Sequence, residues 1–221
     1  MKVSRILIII ALGLAMNISA QSQENDLFTS DLSSILKTIP AIKNQWKLDK
    51  DVRAQATSIV SNTEMLQKLY RRNGGKGVSD LYRSTLLPYI SVLNEYANKK
   101  GKSADAKLTN AILELNEELR IKILFSQSMK GGGFADIEVV VDTKKSGEPI
   151  SGYEVWYVPK GWRGNEEHYE RFDNLSTPAV KQLPPGNYFI WTKKGGYQSD
   201  YSPFSFGFDE QTKRRIDLEV L

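Results

Sequence analysis

The chain has one histidine, His168, in the polar run Asn165-Glu166-Glu167-His168-Tyr169-Glu170. Imidazole and carboxylate are both zinc ligands, so three glutamates beside a histidine raise the question of a metal site. The spacing argues against one. Ligands must converge from one face, and side chains this close in sequence diverge, so a lone loop histidine is favoured and no metal is expected. A Ser-His-Asp triad of the hydrolase type needs a strand-to-helix elbow, and the chain has no Gly-x-Ser-x-Gly. Paired carboxylates for glycoside chemistry need a cleft that holds them about 5–10 Å apart, and no pair stands out from the solvated ones. Arg71-Arg72-Asn73-Gly74-Gly75-Lys76-Gly77 is basic and glycine-rich. A phosphate loop reads Gly-x-x-x-x-Gly-Lys-Ser/Thr. Here Tyr70 replaces the first glycine and Gly77 the hydroxyl residue. The stretch reads instead as a helix end, with cations against the dipole and glycines past the cap. No catalytic residue and no cofactor is expected.

Binding chemistry is better represented. Trp156, Trp162, Trp191, Tyr197, Tyr201, Phe204, Phe206 and Phe208 crowd the last seventy residues. Exposed rings are platforms for sugars and anchors for protein partners. The candidates are Trp156, Trp162 with its neighbour Arg163, Trp191, Tyr197 and Tyr201. The competing reading buries this face against a second sheet or against the first half of the chain. Asn174-Leu175-Ser176 matches a glycosylation sequon, read as chance in a bacterial chain.

The elements that must position these residues fall into two sets. Residues 1–20 have the layout of a secretory signal: Lys2 and Arg5, an apolar run from Ile6 to Met16, then Ile18-Ser19-Ala20. The apolar run is shorter than the roughly 20 residues of a membrane span. No cysteine follows for a lipid anchor. The expectation is export from a Gram-negative cell to the periplasm, cell surface or medium, with no stable span after cleavage. With no cysteine anywhere, disulfides and thiolate chemistry are excluded and apolar cores must hold the fold. Residues 21–130 carry 17 basic and 12 acidic groups (+5), and residues 131–221 carry 11 and 14 (−3). That is too weak a bias for nucleic acid.

From Asp31 the apolar period is helical. Asp31 caps a short helix carrying Leu32, Ile35, Leu36 and Ile39, which Pro40 ends. Trp46 in the following loop reads as a core plug. Asp49 or Asp51 opens a second helix to about Tyr70. Ser79 opens a third stretch, which kinks or restarts at Pro88. Ser103 caps a fourth to about Ser126. Short connections make consecutive helices antiparallel, hence a helical bundle over 21–130. Residues 131–134, opening with Gly131-Gly132-Gly133, read as a flexible linker.

Beyond the glycines the period changes to two. Strands are expected at Ile137–Val141, Tyr153–Val158, Arg171–Leu175, Ala179–Leu183, Asn187–Lys193, Ser202–Phe208 and Arg215–Leu221. The strongest follows Leu183-Pro184-Pro185-Gly186-Asn187-Tyr188, where two prolines and a glycine make a turn that feeds β-forming residues. Ile137–Val141, Gly147-Glu148-Pro149 with the strand after it, Leu183–Tyr188 and Gly196-Tyr197 together resemble the transthyretin-like, carboxypeptidase-regulatory type of β-sandwich domain. Asp173–Pro178 stands where that family has an Asp-x-x-Gly-x-Phe hairpin. The resemblance implies a non-catalytic support, adhesion or ligand-contact module over 135–221 and carries no site residue with it.

The sequence therefore points to an α+β chain in two domains: an antiparallel helical bundle, then an Ig- or transthyretin-like β-sandwich. The expected role is an exported non-enzymatic binding or structural protein whose sandwich contacts a protein of the envelope or surface. A carbohydrate-binding module is the alternative, with polysaccharide as ligand. An enzyme with a site between the halves is a third reading.

Overall fold

The computed structural model describes residues 27–129, 133–209 and 211–220. The expected signal at 1–20, and Gly131 and Gly132 of the expected linker, lie outside them. The class is α+β, with helices first and strands after.

Helix α1 spans residues 27–45 and runs through Pro40 instead of stopping there. The proline sits on the exposed side. Ile35, Ile39 and Ile42 on the other side are at most 1% exposed. Burial on both sides of the proline outweighs the one hydrogen bond it removes. Asp31 is not a cap. It lies inside the helix and pairs with Arg83 at 2.8 Å. Helix α2 (Lys50–Arg72) is capped by Asp49, which accepts from the Val52 N–H. Ser79 caps the short α3 (Asp80–Ser84), and the chain restarts as α4 (Leu87–Ala97) with Pro88 in its first turn. Helix α5 (Ala106–Ser128) is capped by Asp105, two residues beyond the expected Ser103.

Helix α1 runs antiparallel to α2, and α4 runs antiparallel to α5. Phe28 meets Tyr70 and Lys43 meets Thr57 between α1 and α2. Tyr96 at the end of α4 donates to Asp105 at the start of α5. The parallel pair α2 and α5 starts from a bridge between Lys47 and Ser103. Asn116 sits between Gln55 and Asn62, and Gln127 reaches Met65 further along. Trp46 plugs this end, donating to the Tyr96 carbonyl at 3.0 Å. A Cβ on Gly101 would fall 1.8 Å from its ring, so only glycine fits there.

The strands form two sheets. In the first, β1 (Ile137–Lys145) is central. Strand β9 (Lys213–Glu219) lies parallel on one side, and β2 (Glu148–Ile150) and β5 (Ala179–Leu183) lie antiparallel on the other. In the second, β3 (Glu154–Pro159) and β6 (Gly186–Lys194) pair antiparallel. Strand β4 (Glu170–Arg171) extends β3, and β7 (Tyr197–Gln198) and β8 (Ser202–Phe206) extend β6. The strand expected at Arg171–Leu175 shrinks to β4, because the chain turns away towards Pro178. Ile137, Val139 and Val141 of the first sheet and Val155, Tyr157, Tyr188 and Ile190 of the second share one apolar core.

Each half sends a ring into the other. Phe125 of α5 enters the core between the sheets, and Phe134 enters the helical core against Tyr70 and Tyr82.

Candidate functional site

The Pro-Pro-Gly turn meets the helices at a buried charge pair. Glu118 and Lys122 lie one turn apart on α5, with side chains 1% and 0% exposed and 3.6 Å between them. Lys122 donates to the Pro185 carbonyl at 2.6 Å. Glu118 accepts from both the backbone and the side-chain N–H of Asn187, at 2.9 and 2.8 Å. The Lys122 ammonium also stands 4.4 Å above the Tyr82 ring. Two charges are thus removed from water and offset by carbonyl and amide groups of the opposite half and by the Tyr82 ring of their own. Burial pushes Glu118 up from the usual carboxylate range against the pull of Lys122, and pushes Lys122 down to about 8. Gly186 lets the turn approach closely: a Cβ there would lie 2.9 Å from Glu118 Oε2 and would push the carboxylate aside. Two more ties flank the pair: Trp162 donates to the Ser84 carbonyl at 2.8 Å, and Lys160 pairs with Glu114 at 2.7 Å. Sequence reasoning missed this junction. An i, i+4 Glu–Lys pair ordinarily reads as a solvated helix surface. The available signal was Ile121 and Phe125, which give α5 a second apolar face around the pair.

The candidate aromatics are dispersed. Trp191 is 0% exposed, beneath Tyr169 and Tyr201 at 4.9 and 4.7 Å, so it offers no platform. Arg163 lies over Phe189 and Tyr201, at 4.5 and 5.4 Å from the ring centres. The loop after β3 therefore folds back and covers the outer face of its own sheet. Trp162 stacks on His168 at 3.8 Å in addition to its bond to Ser84. Trp156 is half-buried, bonded to Glu154, with Lys193 4.5 Å over its ring. Tyr197 packs edge-on against Tyr153. The structure unites Arg163, Trp191 and Tyr201 in one closed cluster and leaves Trp156 and Tyr197 apart from it.

His168 lines a small cleft of about 150 Å³ with Asp80, Ser84, Trp162 and Glu170. The polar groups there are engaged locally. Ser84 donates to the Leu81 carbonyl, Asp80 accepts from Arg83, and Glu170 accepts from Tyr157 at 2.5 Å. Among the described residues no group of His and carboxylates is placed to hold a metal ion.

An opening of about 610 Å³ lies at one end of the second sheet. Glu154, Leu175, Lys193, Lys194, Tyr197 and Gln198 border it, with glycines Gly152, Gly195 and Gly196. Leu175 is 68% exposed. Arg171 pairs with Glu154 at 3.0 Å, and Lys194 donates to the Ser151 carbonyl while lying over Tyr153. The groove thus offers an apolar side chain, an aromatic edge and fixed charges of both signs. No helix of the described residues is long and apolar enough to cross a membrane.

No protein-family model matches the chain, and no curated protein matches it. Among solved structures, a crystal structure of (S)-allantoin synthase aligns with 72% of this chain and 67% of its own, at 13% identity and a TM-score of 0.25.

Proposed function

We propose that the chain is an exported, non-enzymatic binding protein whose residues 135–221, a transthyretin-like β-sandwich, hold a protein partner at the cell envelope or surface. The helical half supports that unit through the Glu118–Lys122 junction. The observation that carries the reading is the open groove beside Leu175. A leucine this exposed, beside a tyrosine and mixed charges, suits the apolar centre and polar rim of a protein contact. Leu175 and Tyr197 supply apolar area. Glu154, Arg171, Lys193 and Lys194 select the partner's charges. The test is a photo-crosslinking residue at position 197, in the cells that make the protein, with and without Leu175→Asp. A crosslinked protein that Leu175→Asp removes supports the reading. A crosslink that survives the substitution, or none, overturns it.

A carbohydrate ligand is the second reading. It rests on Trp156 and Tyr197, which lie outside the closed cluster and beside the groove. Glycan crosslinked in place of protein at position 197 would favour it.

A further inference from the structure

Strand β9 is an edge strand. Among the described residues it pairs with β1 alone. The Glu138 N–H donates to the Thr212 carbonyl, and the Val220 N–H donates to the Lys144 carbonyl. In a parallel ladder the residues that share this parity turn their backbone groups towards β1. The backbone groups of Lys213, Arg215, Asp217 and Glu219 therefore face outward, and the side chains of the same four residues are exposed.

The order of those four charges is plus, plus, minus, minus. That order is its own complement when the strand is reversed. With Ile216 of one strand opposite Ile216 of another, Lys213 faces Glu219 and Arg215 faces Asp217, twice each. The register keeps odd residues opposite odd residues, so every outward donor meets an outward acceptor. The charges that already tie β9 to β1 extend the pattern. Asp142 pairs with Arg215, Lys144 with Asp217 and Glu138 with Lys213, at 2.5, 2.6 and 2.5 Å. Across the join, Asp142, Arg215, the second copy's Asp217 and its Lys144 would alternate in sign. An edge guarded against pairing carries charges that repel a copy of itself. This one carries charges that attract one.

We propose that the protein forms a two-fold symmetric dimer through antiparallel pairing of β9 with β9 of a second copy, centred on Ile216. The contact is isologous and closes on itself, and it joins the two first sheets into one continuous sheet.

The test is the mass of the purified protein in solution by sedimentation, together with five variants. A concentration-dependent dimer is expected. Arg215→Asp sets like charges opposite each other at two places and weakens association about tenfold or more. The double variant Arg215→Asp/Asp217→Arg restores complementarity across the join, at the cost of each copy's own pairs with Asp142 and Lys144, and recovers part of the lost association. Asp217→Pro removes an outward N–H without touching the β1 ladder, so it gives a folded monomer. The register is read with single cysteines in a chain that has none. Ile216→Cys brings its two copies to about 4.5 Å between Cα atoms and oxidises to a linked dimer. Lys213→Cys places its copies roughly 20 Å apart and stays unlinked. A monomer at every concentration overturns the proposal. So does a dimer indifferent to both Arg215→Asp and Asp217→Pro, or one in which Lys213→Cys links as readily as Ile216→Cys.

Discussion

The molecule uses oppositely charged pairs in two settings. On the outer face of the first sheet, Glu138–Lys213, Asp142–Arg215 and Lys144–Asp217 lie in water. At the junction of helices and strands, Glu118–Lys122 is closed off from it. Exposed pairs are screened and lose side-chain entropy, so they contribute little to stability while still choosing which strand fits beside which. A buried pair contributes little net energy relative to apolar groups, yet it is costly to leave half-made. Besides each other and the Tyr82 ring, Lys122 and Glu118 take their partners from the turn at Pro185 and Asn187. The junction thus specifies how the halves meet, and the surface row specifies what the edge strand can accept.

The largest effect should come from halving the buried pair. Glu118→Ala or Lys122→Ala is expected to cost about 3–5 kcal/mol in urea unfolding, because the remaining charge is stranded. Glu118→Met/Lys122→Met should cost less than either single change. A double variant worse than both would mean that the charges themselves stabilise. Next is Gly207→Ala. Gly207 has φ +102°, and a Cβ there would fall 2.5 Å from Pro185 Cβ, under the same turn. About 1–3 kcal/mol of destabilisation is expected, read from the thermal midpoint.

Titration separates the settings further. Lys122 binds its proton with a pKa of about 8 when folded, against 10.5 for the free side chain. Between those values the unfolded chain holds more protons, so this group makes stability rise with pH from about 8 towards 10. Below that window both states are protonated and the contribution is flat. The stability difference between the native protein and Glu118→Met/Lys122→Met should therefore widen from pH 8 to 10. A smaller effect is expected for Trp162→Phe, which keeps the stacking on His168 but loses the bond to the Ser84 carbonyl. About 1 kcal/mol is expected by urea unfolding. At the bottom of the order, Asp142→Asn should leave the unfolding midpoint of the monomer nearly unchanged.

Most elements were legible because local rules and burial agreed. Asp49 and Ser79 cap where an acceptor precedes an apolar period, and Pro88 begins a helix as a first-turn proline should. β1 follows a β-branched run, and β6 a run of aromatic and β-branched residues after its Pro-Pro-Gly turn. The failures lie where distant contacts overrule local ones. Pro40 is carried inside α1 by the isoleucines on its far side. Asp31 gives up capping for Arg83, which lies far along the chain. The candidate site was legible only in part. Aromatic residues on the outer face of β6 were visible from their parity. That the loop after β3 would close over Trp191 depended on Arg163 reaching Phe189 and Tyr201, which no spacing rule encodes. Leu175 falls at the end of an expected strand, and its interest comes from being exposed outside one.

The buried Glu118–Lys122 junction is expected to make the two halves one folding unit. The direct measurement is urea unfolding followed at once by helical circular dichroism and by tryptophan fluorescence, where Trp156, Trp162 and Trp191 report on the strand half. Coincident transitions in the native protein, separating in Glu118→Ala, are the predicted result. Two separate transitions in the native protein would contradict it.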